Sequence, residues 1–254
     1  MKLLSLTALL FIIALATSSV CAQKKRRPTT PKPSAVRSAE IGQSAVVIDE
    51  TISVLRVTPS LFANSIQRMR RGRKVQILGV TEADGVKFYK VTAPPRNFGW
   101  VQADAVFGKF RRGDEERLAQ LTQAIDGFEQ IEVAIEFFNL YPNSKFCPAI
   151  QLLIGDVLEE TAATLSKSAA SRLRRKEMAA SAAPLHSYYL NFVSLDRYRK
   201  LGVIFLFNPA TKQFHYEGAS WKEILAKHAE SPEVVEAQKR LDALKEKMAK
   251  TSVK

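Results

Sequence analysis

The apolar positions along the chain change their period three times. Residues 3–16 are almost unbroken apolar, interrupted only by Ser5 and Thr7. From residue 41 to 108, short runs rich in Val, Ile and Phe recur between Gly, Pro and Asp. Ala45-Val46-Val47-Ile48 is one, residues 52–57 another, and Lys74-Val75-Gln76-Ile77-Leu78 alternates with period two. Lys87-Phe88-Tyr89-Lys90-Val91 and Gly99-Trp100-Val101 follow. Closely spaced short strands with turn residues between them predict a small barrel or sandwich.

From Asp114 the period becomes helical. Arg117, Leu118, Leu121, Ile125 and Phe128 mark one stripe, and residues 131–140 a second helix that ends at Tyr141-Pro142-Asn143-Ser144. Ile150, Leu153, Ile154, Val157, Leu158 and Leu165 share one face of a third. Pro148 suits its first turn, where no amide donor is needed. This helix is expected to continue through the basic residues 172–176 toward Ala183, where Pro184 stops it. A fourth helix is read over residues 186–201, closed by Gly202. Val203-Ile204-Phe205-Leu206-Phe207 and Gln213-Phe214-His215-Tyr216 flank a turn-rich segment and predict a β-hairpin near 203–216. Two last helices fit residues 220–228 and 232–250, the second capped by Ser231 with Pro232 in its first turn. The expected fold class is α+β and multi-domain: a small β-barrel over 41–108, then a mainly helical domain over 113–250 carrying the hairpin.

The leading apolar run follows a lysine and ends in small residues, Val20-Cys21-Ala22. It reads as a cleavable secretory signal peptide over residues 1–22, cut before Gln23. It is shorter than the roughly 20 apolar residues that span a bilayer; an uncleaved anchor is the alternative. Residues 23–40 open with Lys24, Lys25, Arg26 and Arg27, contain three prolines and are expected to form a disordered basic linker. The Lys24 to Arg27 run offers a contact to an anionic membrane surface. Cleavage removes Cys21 and leaves Cys147 alone, so no internal disulfide is expected despite an oxidising compartment. The net charge of +13 points to anionic envelope partners. Export and the absence of a recognised motif argue against nucleic acid.

The order of signals in residues 45–106 resembles the bacterial SH3-like domain. Val54-Leu55-Arg56-Val57-Thr58-Pro59-Ser60 stands where that family has its Leu-Asn-Val-Arg-x-Gly-Pro-Ser turn, with Thr58 in place of the glycine. Ile66, Met69, Arg71-Gly72 and Val75-Gln76-Ile77 match the next segment, and Phe88-Tyr89-Lys90-Val91 and Gly99-Trp100-Val101 the last two. The resemblance implies binding of peptidoglycan or a peptide ligand. Trp100 and Phe88 are expected in the small core, with Tyr89 facing the opposite side of the strand from Phe88. Tyr89 and Trp100, with the basic cluster Arg68, Arg70, Arg71, Arg73 and Lys74, are the candidate ligand contacts. Residues 129–160, with Tyr141-Pro142-Asn143-Ser144 and Leu153-Ile154-Gly155-Asp156, look like a tetratricopeptide-type helix pair. That resemblance implies contact with a partner protein.

Catalysis needs a nucleophile with a base, a carboxylate pair or metal ligands. Cys147 sits among apolar neighbours that raise a thiol's pKa. No two histidines lie four apart, so a helical His-based metal site is not expected. His186 and His215 read as structural, and Asp114-Glu115-Glu116 as charge complementing a helix N-terminus. The expectation is therefore an exported, non-catalytic binding or scaffolding protein of the bacterial cell envelope, with no cofactor. A cell-wall hydrolase with an unrecognised site and a basic membrane-surface structural protein are the alternatives.

Overall fold

The computed structural model describes residues 38–93, 97–173 and 175–249. The expected signal peptide and nearly all of the basic linker lie outside the described residues. Of the expected linker, residues 38–40 are described, and they pack on the sheet. Glu40 carries a largely buried carboxylate that accepts hydrogen bonds from Lys87 Nζ, Tyr89 Oη and Ser38 Oγ, all within 2.8 Å.

The first half of the fold is a curled seven-stranded antiparallel sheet. Its strands are β1 Ser44–Val47, β2 Val54–Arg56, β3 Ser65–Arg68, β4 Lys74–Ala83, β5 Val86–Ala93, β6 Asn97–Gln102 and β7 Val106–Phe107. They lie in the order β3-β2-β6-β5-β4-β1-β7. The alternation read at Lys74 to Leu78 is real: Val75 and Ile77 are buried, while Lys74, Gln76 and Leu78 are exposed. A bulge between Ile77 and Gly79 shifts the register of the long β4–β5 hairpin. Asp84 and Gly85, both at positive φ, make its two-residue turn, the geometry that matches strand twist. Leu55, Met69, Ile77, Tyr89, Val91 and Val101 fill the inside of the curl. The edge strands β3 and β7 were not anticipated. Neither carries an alternating pattern: β3 is mostly exposed and β7 is two residues long.

The helical half contains α1 Asp114–Ala124, α2 Gly127–Leu140, α3 Cys147–Ser171, α4 Arg175–Ser181, α5 Leu185–Leu190, α6 Asp196–Arg199, α7 Ala219–Lys227 and α8 Glu233–Ala249. The hairpin strands β8 Phe205–Asn208 and β9 Gln213–Tyr216 lie between α6 and α7, as expected. Three boundaries differ from expectation. The first stripe breaks after Ala124, where Ile125 is extended and Gly127 has φ +63, and Gln130 Nε2 bonds the Thr122 carbonyl across the break. The third helix stops at Ser171 instead of running to 183. The segment 186–201 is two short helices joined by a 3-10 turn, Val193–Leu195, rather than one helix. Gly202, at φ +79, closes it as expected. Ser231 does not cap α8 with its side chain: its buried Oγ has no hydrogen-bond partner.

The change from strand to helix is not a gap between cores. Val46, Ile48 and Phe107 of the sheet belong to the same buried cluster as Leu118, Ile131, Phe137 and Ile154 of the helices. Polar bonds reinforce this seam. Asp114, fully buried, accepts from Arg111 Nε at 2.6 Å, Arg117 Nη1 at 3.0 Å and the Gly108 amide at 3.1 Å. Tyr141 Oη donates to the Gly108 carbonyl, and burial raises its pKa to about 12. Trp221 of α7 is buried against α3, where Gly155 leaves the room its indole occupies.

Candidate functional site

The candidate residues on the sheet separate into three groups. Tyr89 is fully buried inside the curl, with its hydroxyl bonded to Glu40 at 2.7 Å. Burial and that carboxylate raise its pKa. It is a core residue and not a surface contact. Phe88 points to the other side of β5, as expected, but is also fully buried. The β2–β3 loop reaches the β4–β5 turn through Ser60 Oγ and the Leu61 amide on Asp84. Trp100, expected in the core, is instead partly buried on the outer face.

Strand register explains that placement. Trp100 pairs with Arg56 on one side and Lys90 on the other. Directly opposed residues share a face, with Cβ atoms about 5 Å apart, so the three form a row of cation, indole and cation. Phe98, two positions along β6, lies on the same face and is 60% exposed. Gly99 between them points inward, where a Cβ would stand 2.8 Å from Leu55 Cγ. Phe62 at the tip of the β2–β3 loop is 88% exposed. This aromatic face was only partly read: Trp100 was named, Phe98 two positions away on the same strand was passed over, and Arg56 and Lys90 become neighbours only through strand pairing.

The basic cluster does not act as one patch. Arg71 is buried in the seam: it donates to the Ile48 carbonyl at 2.9 Å and to Glu132 at 2.8 Å, and it pairs with Glu129. Arg68 bonds the Glu50 and Thr51 carbonyls, and Arg73 reaches the Ala93 carbonyl. Arg70 and Lys74 are exposed. Lys74 stands with Lys109 beside a cavity of about 770 Å³ between β1 and the end of α2.

A second constellation lies among the helices. Glu159 of α3 receives His215 Nδ1 at 2.9 Å, the Tyr216 amide at 2.8 Å and Lys247 Nζ at 2.7 Å. Burial pushes its carboxyl upward, but these three bonds outweigh burial and hold it below the ordinary value. With an ionised carboxylate at Nδ1, that nitrogen carries the proton. Nε2 of His215 is buried and has no partner. The group borders a cavity of about 730 Å³ also lined by Ala163, Ala170, Leu185 and Phe214. Sequence reasoning named His215 but treated it as structural; nothing local links it to residues 159 and 247.

Cys147 is 1% exposed, and burial raises its pKa; its thiol faces the Tyr141 carbonyl at 3.3 Å. Among the described residues no three His, Cys, Asp or Glu side chains gather as a metal site would require. No described helix is long and apolar enough to cross a membrane. Compared with known proteins, the chain matches no family model, no curated protein and no solved structure.

Proposed function

We propose that the chain is an exported, non-catalytic binding protein of the bacterial cell envelope. In this reading the curled sheet is an SH3-like module that holds peptidoglycan or a peptide ligand on its outer face. The helical half, tetratricopeptide-like at α2–α3, docks a partner protein. The observation that carries the reading is the Arg56–Trp100–Lys90 row with exposed Phe98 beside it. A partly buried indole beside the exposed Lys90 offers a stacking surface to a sugar or peptide plane and attraction to carboxylates, while Arg56 on its other side is tied to the Ala63 carbonyl at 2.8 Å. Two observations weigh against a thiol hydrolase: the Cys147 thiol is buried with a raised pKa, and His215 holds Glu159 instead of a nucleophile. The signal peptide and the Lys24 to Arg27 membrane contact belong to the proposal as well. The test is retention of the protein on purified peptidoglycan. Trp100→Ala and Phe98→Ala are each expected to weaken retention about tenfold, the usual scale for an aromatic anchor. Retention equal to that of a charge-matched control protein, or unaltered by both changes, overturns the reading.

A further inference from the structure

The cavity among the helices has a floor that side-chain size creates. Glu159, Ala163, Ser166, Lys167 and Ala170 follow one another at helical spacing on α3 and all line it. Alanines at 163 and 170 leave a trough where larger side chains would fill it. Strand β9 runs antiparallel to α3 along the trough: the Tyr216 amide bonds Glu159, and the Phe214 amide bonds Ser166 Oγ at 2.7 Å. From Glu159 to Ala170 the trough follows about 16 Å of helix. Leu173, Met178, Leu185, Tyr189 and Phe214 give it an apolar wall.

Its charged groups are mostly of one sign. Lys167, Lys212 and Lys247 line the cavity against a single carboxylate, Glu159, which Lys247 already neutralises. Lys167 and Lys212 are exposed and form no ion pair among the described residues. Two buried polar atoms in the lining have no partner: Nε2 of His215, whose residue is 94% buried, and Oγ1 of Thr211. Neither atom has surface open to the trough, so an occupant is held by the walls and the lysines. A trough with apolar walls and surplus cations suits an apolar tail carrying an anionic head. The volume lies within the roughly 300–1,000 Å³ of small-molecule sites, and its length exceeds the roughly 15 Å depth of one leaflet's acyl chains.

We propose that this trough binds a single-chain anionic amphiphile, a free fatty acid or a lysophospholipid, with the tail along Ala163, Ala170 and Leu185 and the anion held by Lys167 and Lys212. The site goes beyond the sheet-face reading and does not depend on it. Isothermal titration of the full chain with palmitate, palmitoyl-lysophosphatidylglycerol and the neutral monopalmitoylglycerol tests it. Saturable one-to-one binding of at least one anionic probe is expected, and the anionic probe that binds identifies the source. Shortening the fatty acid is expected to weaken binding about twofold per methylene for a half-buried chain. Ala163→Leu with Ala170→Leu fills the trough at two exposed helix positions where leucine is a good helix former. This double change is expected to lower affinity at least tenfold with an unaltered circular dichroism melt. Lys167→Ala with Lys212→Ala is expected to weaken anionic probes about tenfold and monopalmitoylglycerol not at all. Equal affinity for the neutral and anionic probes, unaltered binding to the filled variant, or binding by none of the three overturns the proposal.

Discussion

Arg71 was read as one of five surface cations, and its geometry makes it a bolt between sheet and helix. Its side chain is 7% exposed, whereas Glu129 and Glu132 are 59% and 33% exposed. Arg71→Met keeps the aliphatic length and removes the guanidinium. The pair with the exposed Glu129 contributes at most about 0.5 kcal/mol after solvent screening. The bond to the half-exposed Glu132 adds about 1 kcal/mol, and the charge-assisted bond to the Ile48 carbonyl about 1.5 kcal/mol. Loss of the set therefore costs about 2–3 kcal/mol. For a folded unit of this size, that lowers Tm by about 5–10 °C. Arg71→Lys is expected to recover only part, because an ammonium cannot span the carbonyl and both carboxylates as a planar fork does. Arg70→Met, one residue away on an exposed side chain, is expected to move Tm by less than about 2 °C. Thermal melts followed by circular dichroism give the comparison. If Arg71→Met melts with the wild type, or if Arg70→Met costs as much, the seam is not where the stability resides.

Gly155→Ala puts a Cβ 2.1 Å from Trp221 Nε1, so it is expected to cost about 2–3 kcal/mol as an overpacked core and to shift the Trp221 fluorescence. Tyr89→Phe removes the hydroxyl bond to Glu40 and is expected to cost about 1 kcal/mol in urea unfolding; no change would mean that Lys87 and Ser38 suffice. Glu159 has a folded pKa below its ordinary value of 4.5, so its stabilisation is complete above that value and is lost as pH falls through the lowered one. Glu159→Gln is expected to flatten the stability profile below about pH 4.5 and leave its slope near neutrality unaltered; a parallel profile refutes the assignment. Native Cys147 is expected to resist aromatic disulfide reagents on the minute scale and to react at once in denaturant; fast labelling of the native protein contradicts its burial.

The elements that were legible in the sequence are those whose burial is decided locally. The period-two run at β4 and the apolar strands of the β8–β9 hairpin identify themselves, because each strand buries one face against a neighbour close in sequence. Residues 65–68 show no such pattern. As an edge strand, β3 is held by backbone pairing to β2, which side-chain type does not report. The over-long third helix has a related cause. Residues 172–176 are good helix formers, and their sequence carries no signal for the turn away, after which α5 packs on the hairpin with Tyr189 stacked on Phe207 at 4.6 Å. The Glu159–His215–Lys247 group was illegible because its members lie 56 and 88 residues from Glu159. Ala163 and Ala170 are silent for a further reason: in a sequence they signal helix, and only in the fold do they signal space.

The same division bears on what the basic charge does. Five neighbouring cations suggest a single anion-binding patch, but three of them are drawn inward or held by carbonyls: Arg71 by the seam, Arg68 by Glu50 and Thr51, Arg73 by Ala93. A guanidinium fixed on a carbonyl keeps its charge and loses its freedom to form new bidentate contacts. What remains is a diffuse positive field, which speeds encounter with any anionic polymer and is screened within about 10 Å at moderate salt. On the proposed function, discrimination among envelope ligands then rests on surfaces that salt does not erase. Among the described residues the two proposed surfaces are of this kind, the indole row on the sheet and the apolar trough on α3. They lie on different halves of the chain and differ in chemistry, one flat and aromatic, the other a trough lined by alanine and leucine. Salt titration separates the two contributions: the part of binding that survives at high ionic strength measures the aromatic and apolar contacts of these surfaces, and the part that disappears measures the field together with the exposed lysines beside them.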